Sequence, residues 1–301
     1  MGKLPTWIIV AAIGALVALA AADALRSTGG SDTRRTEPRP APTIDDLSGL
    51  LVIADEECAV RALRLPDQSE EEPPGLPDCA GAAWSDDATL VAQCSGGVTA
   101  VHNIRRELVR RLPGCSPVWR ADGSVGVLNR GSLVLARSVF RPVTLMTAPE
   151  LRASLDELVE DPETYDFVAF DWIGTDRFAA VVRGGRLEEQ ALLVFTTAGQ
   201  QLELIVSGLG RLVSNVRVSP LGTYLVLTNN SPERGFTVLT REGDRVLLPR
   251  ISDVRALAWS PDEEWVALAA PEEIVVARTG SREVVARLPV GGQALTWLPE
   301  R

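Results

Sequence analysis

Val254-Arg255-Ala256-Leu257-Ala258-Trp259-Ser260-Pro261-Asp262-Glu263-Glu264-Trp265-Val266-Ala267-Leu268-Ala269-Ala270 reads as strand, tight turn and returning strand. Val254, Ala256 and Ala258 alternate into Trp259, Ser260-Pro261-Asp262 supplies turn chemistry, and a second apolar run follows. Looser copies lie elsewhere in the chain: Ala83-Trp84-Ser85-Asp86-Asp87, Val118-Trp119-Arg120-Ala121-Asp122-Gly123, Asp171-Trp172-Ile173-Gly174-Thr175-Asp176, Val218-Ser219-Pro220-Leu221-Gly222 and Trp297-Leu298-Pro299. Aligning them gives anchor positions Trp84, Trp119, Trp172, Val218, Trp259 and Trp297.

These anchors are separated by 35, 53, 46, 41 and 38 residues, close to the ~40–45 of a four-stranded propeller blade. The long interval has a local cause. Thr147-Ala148-Pro149-Glu150 is a capping-box signature, and Leu151, Leu155, Leu158 and Val159 recur at helical spacing. A helical insertion near 148–160 is therefore expected, covering a blade edge.

The last anchor begins a unit that has only one strand, and the first strands, near 50–55 and 58–65, lack an innermost one. Joining the two makes a single blade and removes the exposed edges. The expected fold is all-β, a six-bladed β-propeller over residues 47–301, with the other blades near 80–112, 115–147, 166–206, 213–249 and 254–288. Each anchor aromatic buries ~150–250 Å² and fills the wedge between neighbouring blades.

Upstream, residues 4–22 carry no charge and would span about 28 Å as a helix, enough for a hydrocarbon core of ~30 Å. Residues 1–25 are read as a membrane anchor or signal peptide, with retention favoured because the apolar run exceeds an ordinary signal core. Residues 26–46, with Pro38, Pro40 and Pro42 in alternation and several arginines, form a linker. The arginines after the helix favour a cytoplasmic domain by positive-inside counting, whereas the cysteines favour an oxidising compartment. The expected address is the outer side of a bacterial cytoplasmic membrane, single-pass, the alternative being secretion after cleavage.

Cys58, Cys79, Cys94 and Cys115 contain no metal-like CxxC spacing. Cys58–Cys79 and Cys94–Cys115 share a separation of 21 residues, so this pairing is preferred, although three connectivities are formally open. Asp67 to Asp78, centred on Glu70-Glu71-Glu72-Pro73-Pro74, reads as a solvated acidic loop.

Chemistry is sparse. The net charge of −10 argues against nucleic acid as a partner. No HExxH, GxSxG or phosphate-cradling glycine loop is present, and His102 is the single histidine. Turn aspartates at 86, 87, 122, 176 and 262 occur at most two to a repeat, which does not assemble a calcium cage. No catalytic residue, cofactor or metal is assigned. Arg105, Arg106, Arg110 and Arg111 form the densest basic cluster.

Trp259-Ser260-Pro261-Asp262 with its flanking apolar strands resembles the WD40-like (PD40) repeats of TolB-like six-bladed propellers, with looser forms at Trp84 and Trp119. The resemblance spans about residues 48–301. It implies the six-bladed propeller fold, and a helix and linker stand where TolB carries a separate α/β domain, so no binding residue is carried over. The expected function is a membrane-anchored scaffold for a protein or cell-wall component. The alternatives are a hydrolase or lyase with a funnel active site, or a ligand-sensing module.

Overall fold

The computed structural model describes residues 42–299, apart from 56–58, 72–82, 86–88, 104, 106, 137–141, 156–165, 185–188, 199–200, 207–208, 210–212 and 230–234. The apolar segment 4–22, the linker up to 41, Cys58, Cys79 and the Asp86-Asp87 turn lie outside the described residues. Among the described residues no helix is long and apolar enough to cross a membrane.

The chain enters through a 3₁₀ turn, Ile44–Asp46, closed by a capping box between Thr43 and Asp46. Ile44 and Leu47 already pack into a core cluster, so ordered packing starts within the expected linker. Strands β1 (Gly49–Ala54), β2 (Val60–Leu65) and β3 (Glu70–Glu71) follow. The acidic loop is thus corrected at its start: Glu71 pairs with Ala62 in the ladder and its carboxylate meets Arg64. Charge at an outermost strand is compatible with pairing because its far edge faces water.

Blade 2 holds β4 (Ala83–Trp84), β5 (Leu90–Ser95), β6 (Val98–Asn103) and β7 (Leu108–Pro113). Blade 3 holds β8 (Cys115–Trp119), β9 (Val125–Asn129), β10 (Ser132–Ala136) and β11 (Val143–Met146). Helix α1 (Ala148–Leu155) comes next, its start fixed by Thr147 N–H and Oγ1 donating to Glu150 Oε2 at 2.7 and 2.8 Å. Those two bonds hold the Glu150 carboxyl below its ordinary pKa. Leu151 and Leu155 are fully buried against Phe167, Phe170 and Met146, so the helix covers the core between blades 3 and 4.

Blade 4 contains β12 (Asp166–Ile173), β13 (Arg177–Gly184), β14 (Glu189–Thr196) and β15 (Gln201–Val206). Blade 5 has three strands, β16 (Val213–Val218), β17 (Tyr224–Asn229) and β18 (Gly235–Thr240). Its expected fourth strand is reduced to the bridge between Leu239 and Arg245. Beyond it Val246, Leu248, Ile251 and Val254 pack on Val226, Val238 and Trp259 instead of continuing a ladder. Blade 6 comprises β19 (Ala256–Trp259), β20 (Trp265–Ala269), β21 (Ile274–Arg278) and β22 (Val284–Leu288). Every residue of β20 is buried, as expected for a strand covered on both faces.

The last strand, β23 (Ala294–Leu298), returns to β1 in antiparallel register, with Leu51 opposite Trp297 and Ile53 opposite Leu295. Blade 1 therefore has the order β23-β1-β2-β3, and the fold is an all-β, six-bladed propeller.

Candidate functional site

All six anchors sit at or next to the end of an innermost strand, and each packs against the blade before it. Trp119 lies among Ala83, Ala92, Val101 and Leu112 of blade 2. Trp172 lies among Val118, Leu133 and Leu135 of blade 3. Val218 packs against Ala169, Ile173 and Val181 of blade 4, and Trp259 against Val226 and Val238 of blade 5. Trp297 packs with Trp265 and Ala267 of blade 6, while Trp84 packs against Val52 and Leu298 of blade 1.

Polar bonds reinforce these seams. The Trp119 indole donates to the Ala83 carbonyl at 2.8 Å and that of Trp172 to the Val118 carbonyl at 3.2 Å. Where Val218 replaces tryptophan no indole is available. There the buried Asp171 accepts the Val218 N–H at 2.7 Å, so a carboxylate crosses the seam instead. Trp297 donates to Ser48 at 2.9 Å. Trp259 stacks on Tyr224 at 5.9 Å, and its buried indole N–H has no acceptor among the described residues.

The serine after the anchor has a role that spacing alone did not assign. Ser85, Ser219 and Ser260 are buried, and their hydroxyls accept the N–H of Leu90, Tyr224 and Trp265 at 3.0, 2.8 and 3.0 Å. Each hydroxyl spans the hairpin mouth by accepting the N–H five residues on. The recurrence of serine directly after three anchors was the available signal.

Among the described residues, two pairs of the hairpin turns that follow the anchors touch one another across a seam. Arg120 is 5% exposed. It donates to Asp122 within its own turn and to the Thr175 carbonyl of the next blade at 3.0 Å, and its guanidinium lies 5.4 Å from the Trp172 ring centroid. Asp122 also accepts the Ser124 N–H, and hydrogen bonding to Arg120 first, then to Ser124, holds its carboxyl well below the ordinary range. Glu263, 6% exposed, accepts the Leu221 N–H at 2.6 Å and joins the turns of blades 5 and 6.

Between those two turns lies a shallow groove of about 310 Å³, lined by Leu221, Thr223, Tyr224, Asp262, Glu263, Glu264, Arg278 and Thr279. Leu221 is 69% exposed, the most exposed large apolar side chain among the described residues. The Thr279 hydroxyl oxygen is buried without a partner among the described residues. Asp262 accepts from Ser260 and from the Glu264 N–H, which fixes the turn. Glu264 stays exposed and Arg278 is half-buried. An aliphatic tip beside carboxylates is suited to holding a side chain of a macromolecular partner.

The remaining residues singled out in the sequence lie elsewhere. Cys94 and Cys115 form a disulfide with Cα atoms 5.2 Å apart, tying blade 2 to the innermost strand of blade 3. His102 is half-buried on β6 opposite Val91 and Leu108. Arg105 and Arg111 are exposed at the rim of blade 2 and Arg110 is half-buried there. Among the described residues no group of three or more His, Cys, Asp or Glu side chains could hold a metal ion.

No family model and no curated protein matches the chain. Solved structures do. The β-propeller domain of Cps50 (Swd1) from Myceliophteria thermophila aligns with a TM-score of 0.51 and 14% identity, over 87% of this chain and 91% of that one. A chain of the nidogen/laminin complex aligns with a TM-score of 0.53 and 10% identity, over 83% of this chain and 98% of that one. At such identities the likeness carries the propeller fold alone.

Proposed function

We propose that this chain is a non-enzymatic scaffold, tethered to the outer side of a bacterial cytoplasmic membrane by its N-terminal apolar segment, whose propeller binds a protein on its turn face. The observation that carries the reading is the groove between blades 5 and 6, with Leu221 standing in water beside Asp262 and Glu264. A large aliphatic side chain is held out by a turn whose own backbone is pinned by Glu263, so it is presented rigidly and ordering it on binding costs little. The nidogen/laminin structure is of a protein–protein complex, which agrees with a partner of this class. The disulfide suits an oxidising compartment and hence the extracytoplasmic side. Ser85, Ser219 and Ser260 hold backbone N–H groups on their hydroxyl oxygens, and that of Ser260 also donates to Asp262, so each is occupied within its own turn. The TolB-like resemblance extends the proposal to a cell-envelope role.

The test replaces Leu221 by a photo-crosslinking amino acid in the full chain, with Leu204 on the outer strand of blade 4 as the comparison site, 41% exposed. A discrete protein adduct from position 221 and none from 204 is expected. No adduct at 221, or the same adducts from both positions, overturns the reading.

A further inference from the structure

We infer that the rim of blade 2 docks into the groove between blades 5 and 6 of a second copy of the chain, giving head-to-tail self-association; the inference rests on the groove being a protein-binding site. Leu108 and Val109 are each 48% exposed, and Val98 on the neighbouring strand is 39% exposed. Consecutive residues of a regular strand point to opposite faces. Here the register breaks: Val101 pairs with Arg110 and His102 with Leu108, leaving Val109 as the extra residue of a bulge. A bulge on an outer strand twists the edge away from strand addition and re-aims its side chains. The rim therefore offers side chains rather than backbone.

The rim is also firmly held. Leu112 is fully buried, Thr99 Oγ1 donates to the Gly114 carbonyl at 2.8 Å, and the Cys94–Cys115 disulfide closes the base of the β6–β7 hairpin. Its charge is opposite to that of the whole molecule. The described residues of the rim include Arg105, Arg110 and Arg111 against the single carboxylate of Glu107, in a chain of net charge −10, and Arg105 and Arg111 are exposed.

The groove has the complementary character. Leu221 and Tyr224 supply apolar surface, Asp262 and Glu264 supply exposed carboxylates, and Arg278 is the one cation among its lining residues. A volume of about 310 Å³ sits at the lower end of the ~300–1,000 Å³ of ligand clefts, which suits a pair of aliphatic side chains. Rim against rim sets arginine on arginine, and groove against groove sets carboxylate on carboxylate. Only the heterologous arrangement joins unlike charges, and such an arrangement does not stop at a dimer unless it closes into a ring.

Sedimentation velocity of the full chain in a neutral detergent, over about a hundredfold range of concentration, tests this. The sedimentation coefficient should rise with concentration and the rise should weaken at high salt. Arg105→Glu/Arg111→Glu in the rim, or Thr223→Arg/Glu264→Arg in the groove, should each weaken association about tenfold or more. Mixing the two variants should restore it, because each then meets an oppositely charged surface on the other, and this restoration also shows that both variants are folded. A monomer at every concentration, association indifferent to both charge reversals, or no recovery on mixing overturns the inference. An adduct of Leu221 with a different protein, together with a monomeric chain, removes self-docking and leaves the scaffold reading standing; absence of any adduct removes both.

Discussion

Replacing Trp119 and Trp259 separately by phenylalanine should have very different consequences, although both lie in equivalent seams and both are nearly buried, at 8% and 5% exposed. Each change removes the pyrrole part of an indole, a loss of buried apolar area worth about 1 kcal/mol. At Trp119 it also removes the donor 2.8 Å from the Ala83 carbonyl, and a buried acceptor left short costs ~1–3 kcal/mol. At Trp259 the indole N–H is buried without an acceptor among the described residues, so phenylalanine relieves a desolvation penalty of ~1–3 kcal/mol. The parallel stacking on Tyr224 survives because it needs only a ring. Trp119→Phe should therefore lose about 2–4 kcal/mol, or roughly 5–15 °C in thermal midpoint for a domain of this size. Trp259→Phe should match the parent or exceed it by up to roughly 8 °C. Both are read by differential scanning calorimetry under identical conditions. A midpoint for Trp259→Phe as low as that of Trp119→Phe refutes the reasoning, because area alone would then set the cost.

Two further predictions follow from the links around blade 3. Replacing Cys94 and Cys115 by serine reopens a 21-residue separation and should cost ~3 kcal/mol by chain entropy, measured by urea unfolding; an unchanged midpoint contradicts a stabilising clip. Because Arg120 and Ser124 hold the Asp122 carboxyl below its unfolded value, its contribution is present at neutral pH and is lost as pH falls below the unfolded pKa of ~4 through the folded value. Asp122→Asn should therefore unfold below the parent at pH 7, with the gap closing in acid. A gap independent of pH would mean that the carboxylate charge contributes nothing.

Much of the ring was legible in the sequence because a propeller repeats its hardest packing problem six times. Trp84, Trp119, Trp172, Trp259 and Trp297 mark five seams by residue type, and Val218 marks the sixth by spacing and by the turn after it. The Thr147–Glu150 capping box and the Cys94–Cys115 pairing were local in the same sense. What escaped depends on distant partners. Glu70-Glu71 looks like a solvated loop until Arg64 and β2 stand beside it. The blade expected near 213–249 has only three strands, because beyond the Leu239–Arg245 bridge Val246 and Leu248 pack on the seam around Trp259. The groove was invisible for a similar reason, since Leu221 and Thr279 belong to turns 58 residues apart whose adjacency only the ring creates.

Closure of the ring by the C-terminal strand is the central claim, and native-state amide hydrogen exchange tests it most directly. Chain termini ordinarily fray and exchange fast. If β23 is hydrogen-bonded to β1 as the register from Leu50–Leu298 to Ala54–Ala294 requires, the amides within Leu295–Leu298 and Leu51–Ala54 that lie in the ladder should exchange as slowly as those of β20, through the same global opening. Exchange of the 294–298 amides at the rate of an open terminus, with β20 still protected, would contradict the closed propeller.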